Sequence, residues 1–117
     1  LVSLLSLSQQ MLDAAGVDSA ADVDSPAGNN LLQPLIESTL KNYFHSDGVA
    51  ALTGPISRGD SKTVAAHIES LKEYPAWQKI YSGLGEIAVS LAAQQDYASE
   101  EQLETISRLL DRAHHHE

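Results

Sequence analysis

The chain has 117 residues and no cysteine, so it is the size of one domain that buries a core without disulfides or a thiolate metal site. Seven basic residues against sixteen acidic residues give a formal net charge of -9. This balance argues against nucleic acid and anionic membranes as partners, and no apolar run reaches the roughly 18–20 residues that cross a bilayer. We expect a soluble, cytoplasmic protein.

The first predicted helix occupies residues 1–15, where apolar residues recur at helical spacing and Gly16 follows as a C-terminal signal. The segment has the pattern of a buried helix but no N-cap residue. We therefore expect the chain to be the back part of a longer protein. The Asp-, Ser- and Pro-containing residues 16–30 are predicted to form a connection with solvated acids.

A second helix is predicted after this connection, with Asn29 or Asn30 as its cap and Pro34 near its first turn. A short helical segment follows, capped by Ser46 or Asp47.

A longer helix is predicted to begin with Asp60 as its cap and to end at Pro75. The next segment, residues 76–95, is strongly amphipathic. Gly83 and Gly85 interrupt it at about 1 kcal/mol each relative to alanine. We therefore expect another backbone to pack closely there, within the domain or across a subunit interface. The apolar stripe of this helix comprises Trp77, Ile80, Tyr81, Leu84, Ala88 and Leu91.

The last helix is predicted from a capping box of Ser99 and Gln102, followed by apolar residues at helical spacing. No stretch shows sustained strand alternation, so the predicted fold is all-α with five or six helices. The domain is predicted to span residues 1–113. Residues 114–117, which include a run of histidines, are predicted to form a tail rather than a metal site.

Residues 52–67, LTGPISRGDSKTVAAH, differ from their surroundings because a turn at Gly54 precedes a polar helix start. In a helix that begins at Asp60, the side chains of Thr63 and His67 fall on the same edge as Asp60. This edge combines a carboxylate, a hydroxyl and a titratable imidazole.

Arg58 and Lys62 make the same segment locally positive at a helix N-terminus, which suits a carboxylate or phosphate ligand. The structural alternative is that Asp60 caps the helix, Arg58 pairs with a surface acid and the glycines supply positive φ. In that alternative His67 is a core histidine. The chain contains no Gly-rich phosphate loop, nucleophile elbow or His-Glu-x-x-His helix, so it carries no complete active site.

The pattern GPI-x-RGD-x-x-TV-x-x-H at residues 54–67 resembles the signature of a helical C-terminal domain in a family of uncharacterised bacterial Rossmann-like oxidoreductases. That domain is one of unknown function. Pro34, Thr39 and Asn42 in the preceding helix support the resemblance, which extends over most of residues 1–95.

The resemblance implies a distant relation to pyrroline-5-carboxylate reductase, ketopantoate reductase and 6-phosphogluconate dehydrogenase. In those enzymes a Rossmann domain binds NAD or NADP, and a helical domain closes the substrate cleft and builds the homodimer. It implies that the nucleotide fingerprint lies upstream of Leu1, so that this chain alone binds no cofactor and is inactive.

The resemblance also implies roles for the residues of the loop. Arg58 would hold an anionic group of a small substrate, Thr63 and Asp60 would orient that group, and His67 would exchange a proton beside the hydride step. The implied substrate-binding set is Arg58, Asp60, Thr63, Thr39, Asn42 and Gly54, with His67 as the catalytic residue.

A second class of function stays open, a non-catalytic helical module that serves protein interaction or oligomerisation. In that case the loop is a structural clasp and the apolar stripes serve assembly. The coding sequence ahead of Leu1 would discriminate between the two classes. A strand followed by Gly-x-Gly-x-x-Gly and a helix would favour the oxidoreductase domain, and the absence of this pattern would favour the interaction module.

Overall fold

The computed structural model describes residues 1–16 and 32–115, and these residues are helical with no strand. The all-α prediction is confirmed. The proposed caps Asn29 and Asn30, and nearly all of the predicted connection, lie outside the described residues. Within the described ranges no helix is both long and apolar enough to cross a membrane. The helices are α1 Val2–Ala14, α2 Leu32–His45, α3 Gly48–Ala51, α4 Pro55–Arg58, α5 Ser61–Ser70, α6 Pro75–Ala93 and α7 Glu100–His115.

The seven helices of the described ranges exceed the predicted five or six. The difference comes from α4, a one-turn helix inside the stretch that the sequence indicated to be a loop. Asp47, one of the two residues predicted to cap α3, is its cap: it accepts a hydrogen bond from the backbone N–H of Val49 at 3.1 Å. Pro75 begins α6 instead of ending the preceding helix, because α5 already stops at Ser70.

The chain divides into two compact units, Leu1–His45 and Ser46–Glu117. The first unit contains α1 and α2. Gly16 follows α1 with a φ of +79°, the left-handed conformation that its predicted place after the helix requires. The prediction that α1 is buried is wrong, since none of its residues is buried and Val2 is 82% exposed. An apolar pattern reveals which face a helix prefers to bury, but not whether anything covers that face.

The core of the second unit lies between α4, α5, α6 and α7, where both α4 and α7 pack against α5 and α6. The capping box that opens α7 is confirmed: Gln102 Oε1 accepts from the N–H of Ser99 at 2.8 Å, and Ser99 Oγ accepts from the N–H of Gln102 at 3.0 Å. The helix continues to His115, two residues beyond the predicted domain end at Ala113. Its buried residues are Leu103, Ile106, Leu110 and Ala113, as the spacing predicted.

Gly85 explains how closely α6 and α7 approach. A Cβ atom at this position would lie 2.9 Å from both Cδ atoms of the fully buried Leu110. A neighbouring helix therefore comes close at Gly85, but the predicted contact with another backbone is wrong, because the nearest atoms belong to the Leu110 side chain. At Gly83 a Cβ atom would meet nothing within 4 Å.

The face of α6 that packs in this unit includes only part of the apolar stripe read from the sequence. Tyr81 and Ala88 of the stripe pack against the core, but the buried residues of α6 are small ones, Ser82, Gly85 and Ala92. Ile80 and Leu84, also members of the stripe, are 42% and 46% exposed. Small side chains let α7 approach closely, so Ile80 and Leu84 are left on other sides of the helix.

The two glycines of α6 provide a matched pair for testing this packing. We expect Gly85→Ala to destabilise the unit, because overpacking typically costs about 1–3 kcal/mol and outweighs the gain of about 1 kcal/mol in helix propensity. Gly83→Ala should instead be neutral or stabilising by up to about 1 kcal/mol. Urea unfolding measures both. Equal effects from the two substitutions would contradict the close approach of Leu110.

Candidate functional site

Two glycines shape the backbone of one corner of the second unit. This corner is formed by α3, α4 and the start of α5. Gly54 precedes α4 with a φ of +100°, and Gly59 ends α4 with a φ of +73°. Residues that carry a Cβ atom rarely adopt these backbone conformations, so the predicted role of the glycines in supplying positive φ is confirmed. The N–H of Asp60 donates to the carbonyl oxygen of Pro55 at 2.8 Å and completes the turn into α5.

Gln95, just after the end of α6, ties this corner together with its side-chain amide. Its Nε2 donates to the carbonyl oxygens of Val49 at 2.6 Å and Leu52 at 2.9 Å. Its Oε1 accepts from the hydroxyl of the buried Ser57 at 2.6 Å. Sequence reasoning missed Gln95, because a glutamine after an amphipathic helix carries no signal for a partner about 40 residues away.

Gly59 brings the connection between α6 and α7 against the same corner. A Cβ atom at Gly59 would lie 2.7 Å from Gln102 Oε1 and 2.9 Å from the Cβ of Ala98. Gly59 is therefore required both for its backbone conformation and for this close approach. The corner is held from one side by Gln95 and from the other by the start of α7.

Asp60 is the N-cap of α5, as predicted. Its Oδ1 accepts from the backbone N–H of Thr63 at 3.1 Å, and its Oδ2 accepts from the hydroxyl of Thr63 at 2.6 Å. These hydrogen bonds lower the pKa of Asp60 below the usual 3.8; the bond from the Thr63 hydroxyl has the largest effect and the bond from the Thr63 N–H the next largest. The positive charges of Arg58 and Lys62 lower this pKa by a smaller amount. Both carboxylate oxygens are already engaged, so the structural alternative accounts for Asp60 and Thr63 without a ligand.

Arg58 keeps most of its side chain in solvent. Its Nη2 lies 4.0 Å from Asp60 Oδ2, and its side chain is 62% exposed. At this distance and exposure the ion pair contributes little, and the guanidinium N–H groups are too far from the carboxylate for a good hydrogen bond. The predicted pairing of Arg58 with a surface acid is present but weak, so the cation is open to another anion.

His67 is exposed, so the structural alternative of a core histidine is wrong. Its Nδ1 lies 2.9 Å from the hydroxyl oxygen of Tyr81, and the two rings meet edge to face with centroids 5.7 Å apart. Tyr81 is partly buried, and burial raises the pKa of its hydroxyl. Sequence reasoning placed Tyr81 on an apolar stripe and did not pair it with His67, because spacing within one helix does not show which residue of another helix it meets.

The structure brings together only part of the predicted site. Arg58, Asp60 and Thr63 share the corner, with Gly54 shaping its backbone. His67 lies two turns along α5 from Asp60, a rise of about 10 Å. Thr39 and Asn42 belong to α2 in the first unit; the hydroxyl of Thr39 donates to the carbonyl oxygen of Leu35 at 2.8 Å.

Three shallow grooves of the second unit, with volumes of about 470, 380 and 560 Å³, are lined mainly by α6, α7 and α5, and by none of the predicted site residues. The described residues contain no group of three His, Cys, Asp or Glu side chains placed to hold a metal ion.

One family model matches the chain. It is described as Domain of unknown function (DUF2520), and the match covers residues 1–88. No curated protein and no solved structure matches the chain. The match therefore includes the whole corner up to His67, but ends within α6 before Gln95.

Gln95 and its neighbour Gln94 allow a test of the corner. We expect Gln95→Ala to lower the free energy of unfolding by about 2–3 kcal/mol, since it removes three hydrogen bonds and leaves Ser57 unpaired. Amide hydrogen exchange at Arg58 and Gly59 should become faster. Gln94→Ala is the control, because Gln94 bonds only its own helix, at Ser90, and should change stability by about 0.5 kcal/mol at most. Similar values for both variants would contradict the role of Gln95.

Proposed function

We propose that this chain, which belongs to the DUF2520 family of domains of unknown function, is the substrate-binding and dimerisation domain of an NAD(P)-dependent oxidoreductase. In this proposal a Rossmann domain ahead of Leu1 holds the nucleotide, and the present helices form the opposite wall of the cleft. The observation that carries the proposal is an exposed Arg58 guanidinium on a corner held in place by Gln95 and Gly59.

The charges at the corner favour a monocarboxylate over a phosphate. Arg58 and Lys62 contribute two positive charges, and the ionised Asp60 removes one of them. A single carboxylate matches the remaining charge, whereas a phosphate dianion would also meet repulsion from Asp60. The planar guanidinium can bind a carboxylate through two parallel N–H donors.

The distance along α5 limits what one ligand can reach. The guanidinium of Arg58 lies beside Asp60, and Asp60 is separated from His67 by on the order of 10 Å along α5, given a rise of 1.5 Å per residue. We therefore expect that a small acid held by Arg58 does not touch His67. In the proposed cleft His67 acts on the far end of an extended acid or on a group that the nucleotide-binding domain brings in.

The exposed side of α6 supports the dimerisation part of the proposal. Ile80, Leu84 and Ile87 are 42%, 46% and 61% exposed, and they recur at the spacing of one helix face. Gly83 lies beside them, and no described atom is within 4 Å of where its Cβ would be, so this part of the face is open. In a symmetric dimer the same face of a second copy would cover it.

A non-catalytic interaction module is the second candidate, and one observation favours it. The two oxygens of Asp60 are bonded to Thr63, and the amide of Gln95 is bonded to the corner, so the loop is stable without a ligand. In this case the apolar face of α6 is the functional surface and Arg58 has no ligand. The two candidates differ in what Arg58→Ala does, whereas both of them use the α6 face that Leu84→Glu tests.

The first test is Arg58→Ala, with Arg108→Ala as the control. Arg108 is similarly exposed, but it pairs with Glu104 at 2.7 Å on α7. Pyruvate serves as the probe because it is a small monocarboxylate. We expect Arg58→Ala to weaken its binding about 10-fold or more, because a charge-assisted pair is worth about 1.5–3 kcal/mol. Amide NMR titration measures binding, and circular dichroism checks the helices. Unchanged pyruvate shifts in Arg58→Ala, or tighter binding of inorganic phosphate, would contradict the carboxylate site.

The second test is Leu84→Glu, with Tyr97→Glu as a control at a 76% exposed side chain outside α6. Burying a carboxylate at an apolar contact carries a large desolvation penalty, so Leu84→Glu should convert a dimer into a monomer while Tyr97→Glu leaves the dimer intact. Sedimentation velocity measures the oligomeric state. A monomeric unsubstituted chain would refute the dimer, and a dimer that survives Leu84→Glu would place the interface elsewhere.

A further inference from the structure

We infer that Tyr81 is a positioning residue which holds His67 in the tautomer with its proton on Nε2, so that neutral His67 offers a ligand a hydrogen-bond donor and not a base. The inference concerns the protonation of one imidazole and deepens the proposed function. It rests on that proposal only in assigning a ligand oxygen to this edge of α5.

The geometry of the pair restricts how the imidazole can turn. The hydroxyl oxygen of Tyr81 lies 2.9 Å from His67 Nδ1, and the rings stand at 86° to each other. One residue comes from α5 and the other from α6. Next to them, Gln78 Nε2 of α6 donates to the carbonyl oxygen of Ile68 in α5 at 3.0 Å. This second bond ties the same two helices together, so the distance between the rings is set by the fold.

The direction of the hydrogen bond follows from the phenol. A neutral imidazole carries one proton, so Nδ1 either accepts from Tyr81 or donates to it. Tyr81 is partly buried, and burial raises the pKa of its hydroxyl, which therefore keeps its proton through neutral pH. Among the described residues this hydroxyl has no other partner than Nδ1. A phenol O–H is a stronger hydrogen-bond donor than a neutral imidazole N–H, and an imidazole nitrogen is a stronger acceptor than a phenol oxygen. The O–H therefore donates to Nδ1, and the imidazole proton lies on Nε2.

The chemical consequence is an edge that presents mainly hydrogen-bond donors. Nε2–H of the exposed His67 joins the guanidinium of Arg58 and the ammonium of Lys62, while the oxygens of Asp60 are engaged by Thr63. Such an edge recognises carbonyl, carboxylate or phosphate oxygens. The proton-exchange role expected for His67 from the resemblance is replaced by polarisation of a ligand oxygen.

The test is the nitrogen NMR signature of the histidines at about pH 8, where an ordinary imidazole is neutral. Long-range proton–nitrogen correlation of the uniformly labelled chain separates a protonated Nε2 from an unprotonated one, and His67→Gln assigns the signal. We expect His67 to show one tautomer, with Nε2 protonated. Tyr81→Phe keeps the ring but removes the hydroxyl, and should return His67 to a mixture of tautomers.

Tyr74→Phe is the matched control, because Tyr74 stacks on Trp77, whereas the ring contact and the side-chain hydrogen bond of His67 are both with Tyr81. It should leave the His67 signature unchanged. A proton on Nδ1 of His67 in the unsubstituted chain overturns the inference without any variant. So does an unchanged signature in a folded Tyr81→Phe chain. No ligand is needed for these measurements, so they fail or succeed independently of pyruvate binding to Arg58.

Discussion

The side-chain amide of Gln95 is the interaction on which the corner of the second unit depends. Its N–H groups and its oxygen are all used, two on the carbonyl oxygens around α3 and one on Ser57 of α4. Without it, the buried hydroxyl of Ser57 and the carbonyl oxygen of Leu52 would lose this partner, and one-turn helices are not stable alone. Because the exposed guanidinium of Arg58 sits at the end of α4, its position is an indirect result of this amide.

Local features of the fold could be predicted from the sequence because their causes lie within a few residues. The cap at Asp60 and the left-handed Gly59 each follow from one residue type at one position, and the capping box follows from two residues, Ser99 and Gln102, three positions apart. The buried face of α7 was also predictable, since a helix with a clear apolar stripe and many charges has one way to pack.

Contacts between distant residues could not be predicted in the same way. α6 has both a stripe of large apolar residues and a stripe of small ones, and only the approach of Leu110 to Gly85 decides which of them faces α7. The partners of Gln95 and the pairing of Tyr81 with His67 depend on that same choice. Periodicity orders the residues around one helix but does not select its neighbour.

The position of Gln95 also bears on how the family is delimited. The match to the family model ends at residue 88, whereas the side chains that fix the corner, Gln95, Ala98 and Gln102, follow that residue. A polypeptide trimmed to the matched segment would retain Arg58, Asp60, Thr63 and His67 yet lack these contacts. We therefore expect the smallest folding piece of this protein to be longer than the segment that the family model matches.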